Sequence, residues 1–203
     1  MCGVPYHSAE GYIAKLVQKG YKIAICEQME DPKKAKGLVK REIIRRVTPG
    51  TVVEASMLDE NRNNFLGCVY AAGGSVGVCF ADITTGSVYA TGSDNWNDIT
   101  SEFGRFAPRE VLVGGGAISA DSLQSFLKER LEALIEPMPE ECFEAQRSAE
   151  RIQEHFKVQD FDAAGLTDLP CTVQCLGGLL DYLEQTQKAS LSSLNQLQVY
   201  HQG

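Results

Sequence analysis

FLGCVYAAGGSVGVCFADITTGSVYAT, residues 65–91, holds three β-rich runs: Phe65–Tyr70, Val76–Ile83 and Ser87–Thr91. Gly73-Gly74 separates the first two and Thr84-Thr85-Gly86 the second two, which is turn chemistry. The pattern predicts a three-stranded antiparallel meander. Toward the carboxyl end follow an amphipathic stretch around Ile99–Phe106, a short strand Glu110–Val113 and a helix Asp121–Leu131 capped by Ser119 or Asp121. Ala133–Ile135 reads as a last strand and Glu144–Phe156 as a polar-faced helix. Hairpins leading into alternating strand and helix imply an α/β fold, a mixed sheet with helices packed on it. Residues 158–170 are a connector rich in Asp and Gly. Cys171–Gln187 then carries Val173, Leu176, Leu179, Leu180 and Leu183 at helical spacing. Residues 189–203 read as a polar tail without a closing core element. The last helix is therefore expected to expose an apolar face, and the chain reads as a cut from something longer.

The first fifty residues have another texture. Ser8 is placed to cap a helix over Ala9–Lys19, where Tyr12, Ile13, Leu16 and Val17 recur at helical spacing and Gly20 supplies the stop. Ile23–Cys26 predicts a short buried strand, residues 30–37 a polar loop, and Val39–Val47 a second strand. Pro49-Gly50 marks a turn and the best early boundary. Residues 1–50 carry ten Lys/Arg against five Asp/Glu, whereas the remainder carries nine against twenty-two. A basic segment joined to an acidic body suggests a nucleic-acid-facing end on a module with other duties.

A chain of 203 residues accommodates one domain or two, at about 100–200 residues per domain. Its 43% hydrophobic content suits a folded protein. No run approaches the ~18 apolar residues that span a bilayer, and the first residues lack the charged-then-apolar pattern of a signal peptide. The expectation is a soluble cytoplasmic protein without a membrane partner. The seven cysteines (2, 26, 68, 79, 142, 171 and 175) mostly sit in apolar runs, as small buried thiols do in a reducing compartment. Cys171 and Cys175 share one face of the last helix. Zinc would need a second ligand pair, which no nearby His or Cys supplies, so the reading is core packing.

The chemistry-bearing residues are few. Gly114-Gly115-Gly116, between a strand and a helix, could cradle an anion; with no Lys at the required spacing, a plain turn is the favoured reading. A meander followed by alternating α and β is also the order of an RNase H-like fold, whose active members bind two metals through carboxylates. Asp82 holds a position such an aspartate takes, with Glu102, Glu110 and Asp121 as conceivable partners. Asp is equally at home before a turn, and a nuclease is the minor reading. His7 has no partner at a telling spacing, and His155 and His201 show no ligand pattern. The basic cluster Lys33, Lys34, Lys36, Lys40, Arg41, Arg45 and Arg46 is the main compositional signal. Alternation along a strand predicts that Arg41 and Arg45 share a face. Such residues either neutralise phosphates or guard a solvated edge strand.

Five linked blocks carry a resemblance: G-x-P-Y-H (Gly3–His7), Y-x-A-K-L-V-x-x-G (Tyr12–Gly20), A-I-C-E-Q (Ala24–Gln28), D-P (Asp31-Pro32) and V-T-P-G-T (Val47–Thr51). The chain resembles the MutS family of DNA mismatch-repair proteins. D-x-x-T/S-G (Asp82–Gly86) and L-x-Y-L-x-x-T-Q (Leu180–Gln187) extend the likeness more weakly over the rest. The resemblance implies that residues 1–50 end a mismatch-recognition domain. It makes residues 51–160 an RNase H-like connector domain without nuclease activity, and residues 161–203 the start of a helical core and lever domain. The family's F-x-E wedge lies upstream of this start and its Walker ATPase far downstream. ATP and Mg are therefore expected in the longer parent only. No catalytic residue, cofactor or metal is expected here. DNA contact is expected to be weak and non-specific, through the loop Met1–Tyr6, Met1 included, and through Lys40 and Arg41. MutL docking through the connector and self-association as the parent dimer are further implications of the resemblance. The acidic surface of residues 94–157 is the expected docking face.

Overall fold

The computed structural model describes residues 2–30, 37–52 and 64–201. Helix α1 (Tyr6–Gln18) precedes an antiparallel hairpin of β1 (Ile23–Gln28) and β2 (Arg41–Val47). The apolar stripe of α1 covers one hairpin face, with Val17, Val47 and Val52 buried and Ile13, Ala14, Ile23 and Ile25 packed around them. Gly20 ends α1 as expected, at φ +84°. Its N–H donates to Val17 and that of Tyr21 to Leu16, at 2.9 and 3.0 Å, a Schellman closure. The start differs from expectation. The helix begins at Tyr6 behind Pro5, with no side-chain cap, and Ser8 lies inside the first turn. β1 is also less buried than its apolar run implies, because only α1 covers it.

The second unit is a six-stranded sheet. β3 (Phe65–Ala72), β4 (Ser75–Asp82) and β5 (Ser87–Ser93) make the expected meander, with Cys68 opposite Cys79 and Cys79 opposite Ala90. β6 (Glu110–Gly115) runs parallel to β3, β7 (Leu134–Pro137) parallel to β6, and β8 (Gln196–Val199) parallel to β5. The order is β7-β6-β3-β4-β5-β8. The inner strands read as near-continuous apolar runs because helices cover both faces. α2 (Trp96–Phe106) and α3 (Asp121–Ser125) cover Val69, Val78, Phe80, Val111 and Val113. α4 (Ala145–Phe156) and α5 (Pro170–Thr186) cover Leu66, Cys68, Tyr70, Cys79, Ala81 and Leu112. The helix expected over 121–131 divides: regular turns end at Ser125 and a wider π turn continues over Phe126–Arg130. Neither Ser119 nor Asp121 caps it.

Two expectations about the carboxyl end are overturned. α5 does not expose its apolar face; Cys175, Leu176, Leu179, Leu180 and Leu183 lie buried on the sheet. The supposed polar tail supplies a short helix, α6 (Lys188–Leu191), then buried Leu194 and strand β8. Alternating polar residues in Gln196–Val199 hid this edge strand, since only one of its faces meets the core. The close fit of α5 depends on Gly77 of β4. A Cβ there would stand 2.3 Å from the backbone of Cys171 and Thr172.

Two predictions test this packing. Gly77→Ala should destabilise the chain by about 1–3 kcal/mol through overpacking, read as a lower urea midpoint at unchanged slope. Glu144 caps α4, accepting the N–H of Arg147 at 2.7 Å and of Gln146 at 3.1 Å. Those bonds hold its carboxyl below the ordinary 4.5. A depressed folded-state pKa stabilises above the unfolded value and loses that stabilisation as pH falls through the folded value. Below pH 4.5 the melting temperature should therefore fall more steeply in the wild type than in Glu144→Ala.

Candidate nucleic-acid interface and its anchor

The hairpin carries the basic cluster, and a bulge arranges it. Ile23 pairs with Val47 and Ile25 with Arg45, but Cys26 pairs with Ile43 and Gln28 with Arg41. Ile44 is the extra residue, and one extra residue reverses the alternation beyond it. Arg45 consequently shares the α1 side with Ile25 and Val47. Arg41, Ile43 and Arg46 occupy the opposite side. The expected pairing of Arg41 with Arg45 on one face is thereby corrected. Lys40, just ahead of β2, forms an exposed ion pair with Glu42 at 2.7 Å. Its backbone N–H donates to Glu30 Oε1 at 2.7 Å. Met1, Lys33, Lys34 and Lys36 lie outside the described residues.

The other end of the hairpin is fixed to the sheet by a carboxylate that sequence reading missed as a structural centre. Glu110 opens β6 and is fully buried. Tyr182 Oη of α5 donates to its Oε1 at 2.5 Å, and the Gly50 N–H donates to Oε2 at 3.1 Å. Lys22 Nζ lies 3.4 Å from Oε1 and 2.6 Å from Glu136 Oε2. The same ammonium stands 5.2 Å from the centre of the Tyr182 ring. Burial, then the Glu110 charge, pushes the Tyr182 phenol well above its ordinary value, which keeps it a donor. The turn Val47–Thr51 shapes this approach. Thr51 N–H closes on Thr48 O at 3.1 Å, and the two threonine hydroxyls are 2.6 Å apart. Gly50 is required for contact rather than for a left-handed backbone: a Cβ would meet Glu110 Cβ at 2.9 Å. From Val47 beside this anchor to Arg41, six strand steps of about 3.3 Å carry the basic end roughly 20 Å away.

The structure does not gather the candidate nuclease carboxylates. Asp82 Oδ1 accepts from Thr84 Oγ1 at 2.6 Å and Thr84 N at 3.0 Å, an Asx turn. Glu102 accepts from Tyr200 Oη and lies 3.5 Å from Arg105. Glu110 belongs to the anchor, and Asp121 stands exposed on α3. Among the described residues, the one group of three or more His, Cys, Asp or Glu side chains able to share an ion is Cys68, Cys79 and Cys175. The glycine cluster serves packing: a Cβ at Gly114 would meet the Phe143 ring at 2.2 Å and one at Gly115 the Ala71 carbonyl at 2.4 Å. His7 is exposed on the first turn of α1. His155 Nε2 hydrogen-bonds to Leu194 O at 2.5 Å, tying α4 to the approach to β8.

Comparison with known families agrees with this two-part architecture. A family model described as MutS domain II matches residues 64–198, and one described as MutS domain I matches residues 1–56. The chain belongs to the MutS family. It is 43% identical over 98% of its length to the DNA mismatch repair protein MutS of Acetivibrio thermocellus, of which it covers 23%. The MutS of Lachnoclostridium phytofermentans is 43% identical over 98% of the chain, with 22% of that relative covered. For the MutS of Methanococcoides burtonii the figures are 37%, 98% and 23%. The chain thus spans less than a quarter of these MutS relatives. The anchor joins the segment matching domain I, through Lys22 and Gly50, to the segment matching domain II, through Glu110 and Tyr182. A Lys at the head of a strand and a Glu opening an apolar one were its only sequence signals.

All three neighbours of the Glu110 carboxylate are donors, so an amide in its place faces donors with its own NH₂. Glu110→Gln should cost about 2–4 kcal/mol, the range for breaking a buried, hydrogen-bonded charge. Urea unfolding measures the loss. Faster proteolytic cutting near residue 50 in the variant should accompany it.

Proposed function

We propose that this chain is a non-enzymatic part of a mismatch-repair sensor that touches the DNA backbone with the basic end of hairpin β1–β2. The observation that carries the reading is the hairpin held at one end by the Glu110 anchor, with Lys40 and Arg41 at the other. Exposed ion pairs such as Lys40–Glu42 contribute little, so Lys40 can exchange Glu42 for a phosphate at small cost. Phosphate neutralisation of this kind is sequence-independent and strongly salt-dependent. Met1 is part of the same proposed contact. Because the anchor joins the hairpin to β6 and α5, displacement of the hairpin on DNA is transmitted to the sheet unit.

In this reading the RNase H-like connector without nuclease activity, expected from the sequence over residues 51–160, extends through the segment 161–203 expected to open a core and lever domain, because α5 packs on its sheet and β8 pairs with β5. The antiparallel meander extended by two parallel strands on one side supports that assignment. ATP hydrolysis, magnesium binding and dimerisation belong to the longer parent. The acidic, helix-bearing surface of residues 94–157 is the proposed MutL docking face. Charge reversal there should abolish MutL pulldown, and unchanged pulldown removes it from the account.

Fluorescence anisotropy on matched and G·T-mismatched duplexes across a salt series tests the DNA contact. The two duplexes should bind equally and weakly. Lys40→Ala and Arg41→Ala should each reduce the slope of log K against log salt by about 0.9. A clear mismatch preference, or unchanged slopes in both variants, overturns the reading. With Mg²⁺ or Mn²⁺, labelled DNA should stay intact; cleavage lost on Asp82→Asn would establish a nuclease instead.

A further inference from the structure

Cys68 and Cys79 stand opposite each other on β3 and β4, and Cys175 approaches the pair from α5. The three sulfurs lie within 4.8 Å of one another, with Cys79 and Cys175 3.4 Å apart. All three residues are fully buried, in a core that includes Leu66, Ala81, Leu176 and Leu179. Cys171, one turn earlier on α5, sends its sulfur to the Ala72 carbonyl at 3.5 Å instead. The ligands missing from the sequence reading of Cys171 and Cys175 are thus supplied to Cys175 alone, by two strands far away in sequence.

The set is chemically selective. Protein zinc sites are four-coordinate, and a catalytic one keeps a position open to water; this cluster has three sulfurs and no exposed position. A divalent ion on three thiolates would also leave a net negative charge in an apolar core, which is costly without a partner. Trivalent arsenic differs on both counts. It is satisfied by three sulfurs and a lone pair, and the product carries no charge. Its hydrated form, arsenous acid, is itself neutral, so it enters an apolar interior without shedding an ionic hydration shell.

We propose that Cys68, Cys79 and Cys175 form a capture site for trivalent inorganic arsenic. The reaction is As(OH)₃ with three Cys thiols, giving As(S-Cys)₃ and three waters. Each sulfur replaces one hydroxyl, each thiol proton leaves in one water, and no oxidation state changes. Burial holds the thiols of Cys68 and Cys175 well above their ordinary value. At Cys79 burial also raises the thiol, and hydrogen bonding with Cys175 and Cys68 works against it. Access requires local opening of α5 from the sheet, because the sulfurs are covered. Once formed, the adduct staples β3, β4 and α5 together and stabilises the native state that binds it.

The test is to incubate the reduced, folded chain with arsenous acid and follow it by native mass spectrometry, X-ray absorption and thermal melting. The expected result is a mass gain of one arsenic less three hydrogens per chain. Arsenic should have three sulfur neighbours and no oxygen, and the melting temperature should rise. Cys79→Ala should lose the adduct, whereas a Cys2→Ser/Cys26→Ser double variant, altering exposed thiols, should keep it. An adduct that survives Cys79→Ala, needs Cys2 or Cys26, or retains an oxygen ligand overturns the proposal. Should Cys79→Ala fail to fold, the sulfur count and peptide mapping of the wild-type adduct decide it.

Discussion

The arrangement of the whole chain depends on burying the Glu110 carboxylate. An ionised carboxylate out of contact with water carries a penalty of several kcal/mol unless donors and an opposite charge meet it. No single element can supply them all. Lys22 comes from the link between α1 and β1, Gly50 from the turn after β2, and Tyr182 from the middle of α5. The carboxylate is therefore satisfied only when the first unit has docked and α5 has settled on the sheet. Docking is a condition of folding the sheet's rim, not an addition to it.

α5 is the second organiser, and it works by combining apolar and polar contacts on different sides of one helix. Its leucines lie on β3 and β4, while Asp181, almost wholly buried, receives Arg147 and Arg151 from α4 at 2.9 Å each. Gln185 donates a further bond to Asp181 at 2.8 Å. A buried aspartate met by two guanidiniums and an amide binds α4 in one orientation. On the next position along the chain, Tyr182 reaches Glu110. Consecutive residues of α5 thus fix α4 and the hairpin, and Cys175 two turns earlier meets the strand thiols.

Much of the second unit was legible in the sequence, for a local reason. Gly73-Gly74 and Thr84-Thr85-Gly86 punctuate runs that both faces of a covered sheet want apolar, so the meander appears in the strand spacing itself. Gly20 likewise announced the end of α1. The amphipathic edge strand Gln196–Val199 was not legible, because half of its side chains meet solvent and the run is short. The candidate interface was legible in composition as a cluster of seven Lys and Arg, within which the family resemblance singled out Lys40 and Arg41. Which side of the hairpin each arginine takes was decided by the unpaired Ile44, and one residue of register shift leaves no mark in composition.

The sequence by itself determined the family, the charge split between residues 1–50 and the rest, and the order of most strands and helices. Each of these follows from neighbouring residues: blocks of identity, counted charges, and periods of two or 3.6. Only the tertiary structure decided that α5 belongs on the sheet, that Glu110 is an anchor rather than a metal ligand, and that Cys68, Cys79 and Cys175 meet. Those facts join positions more than 100 residues apart in sequence, as Cys68 and Cys175 are. Such contacts are selected by burial and by the need to satisfy buried polar groups, which act on the folded chain as a whole.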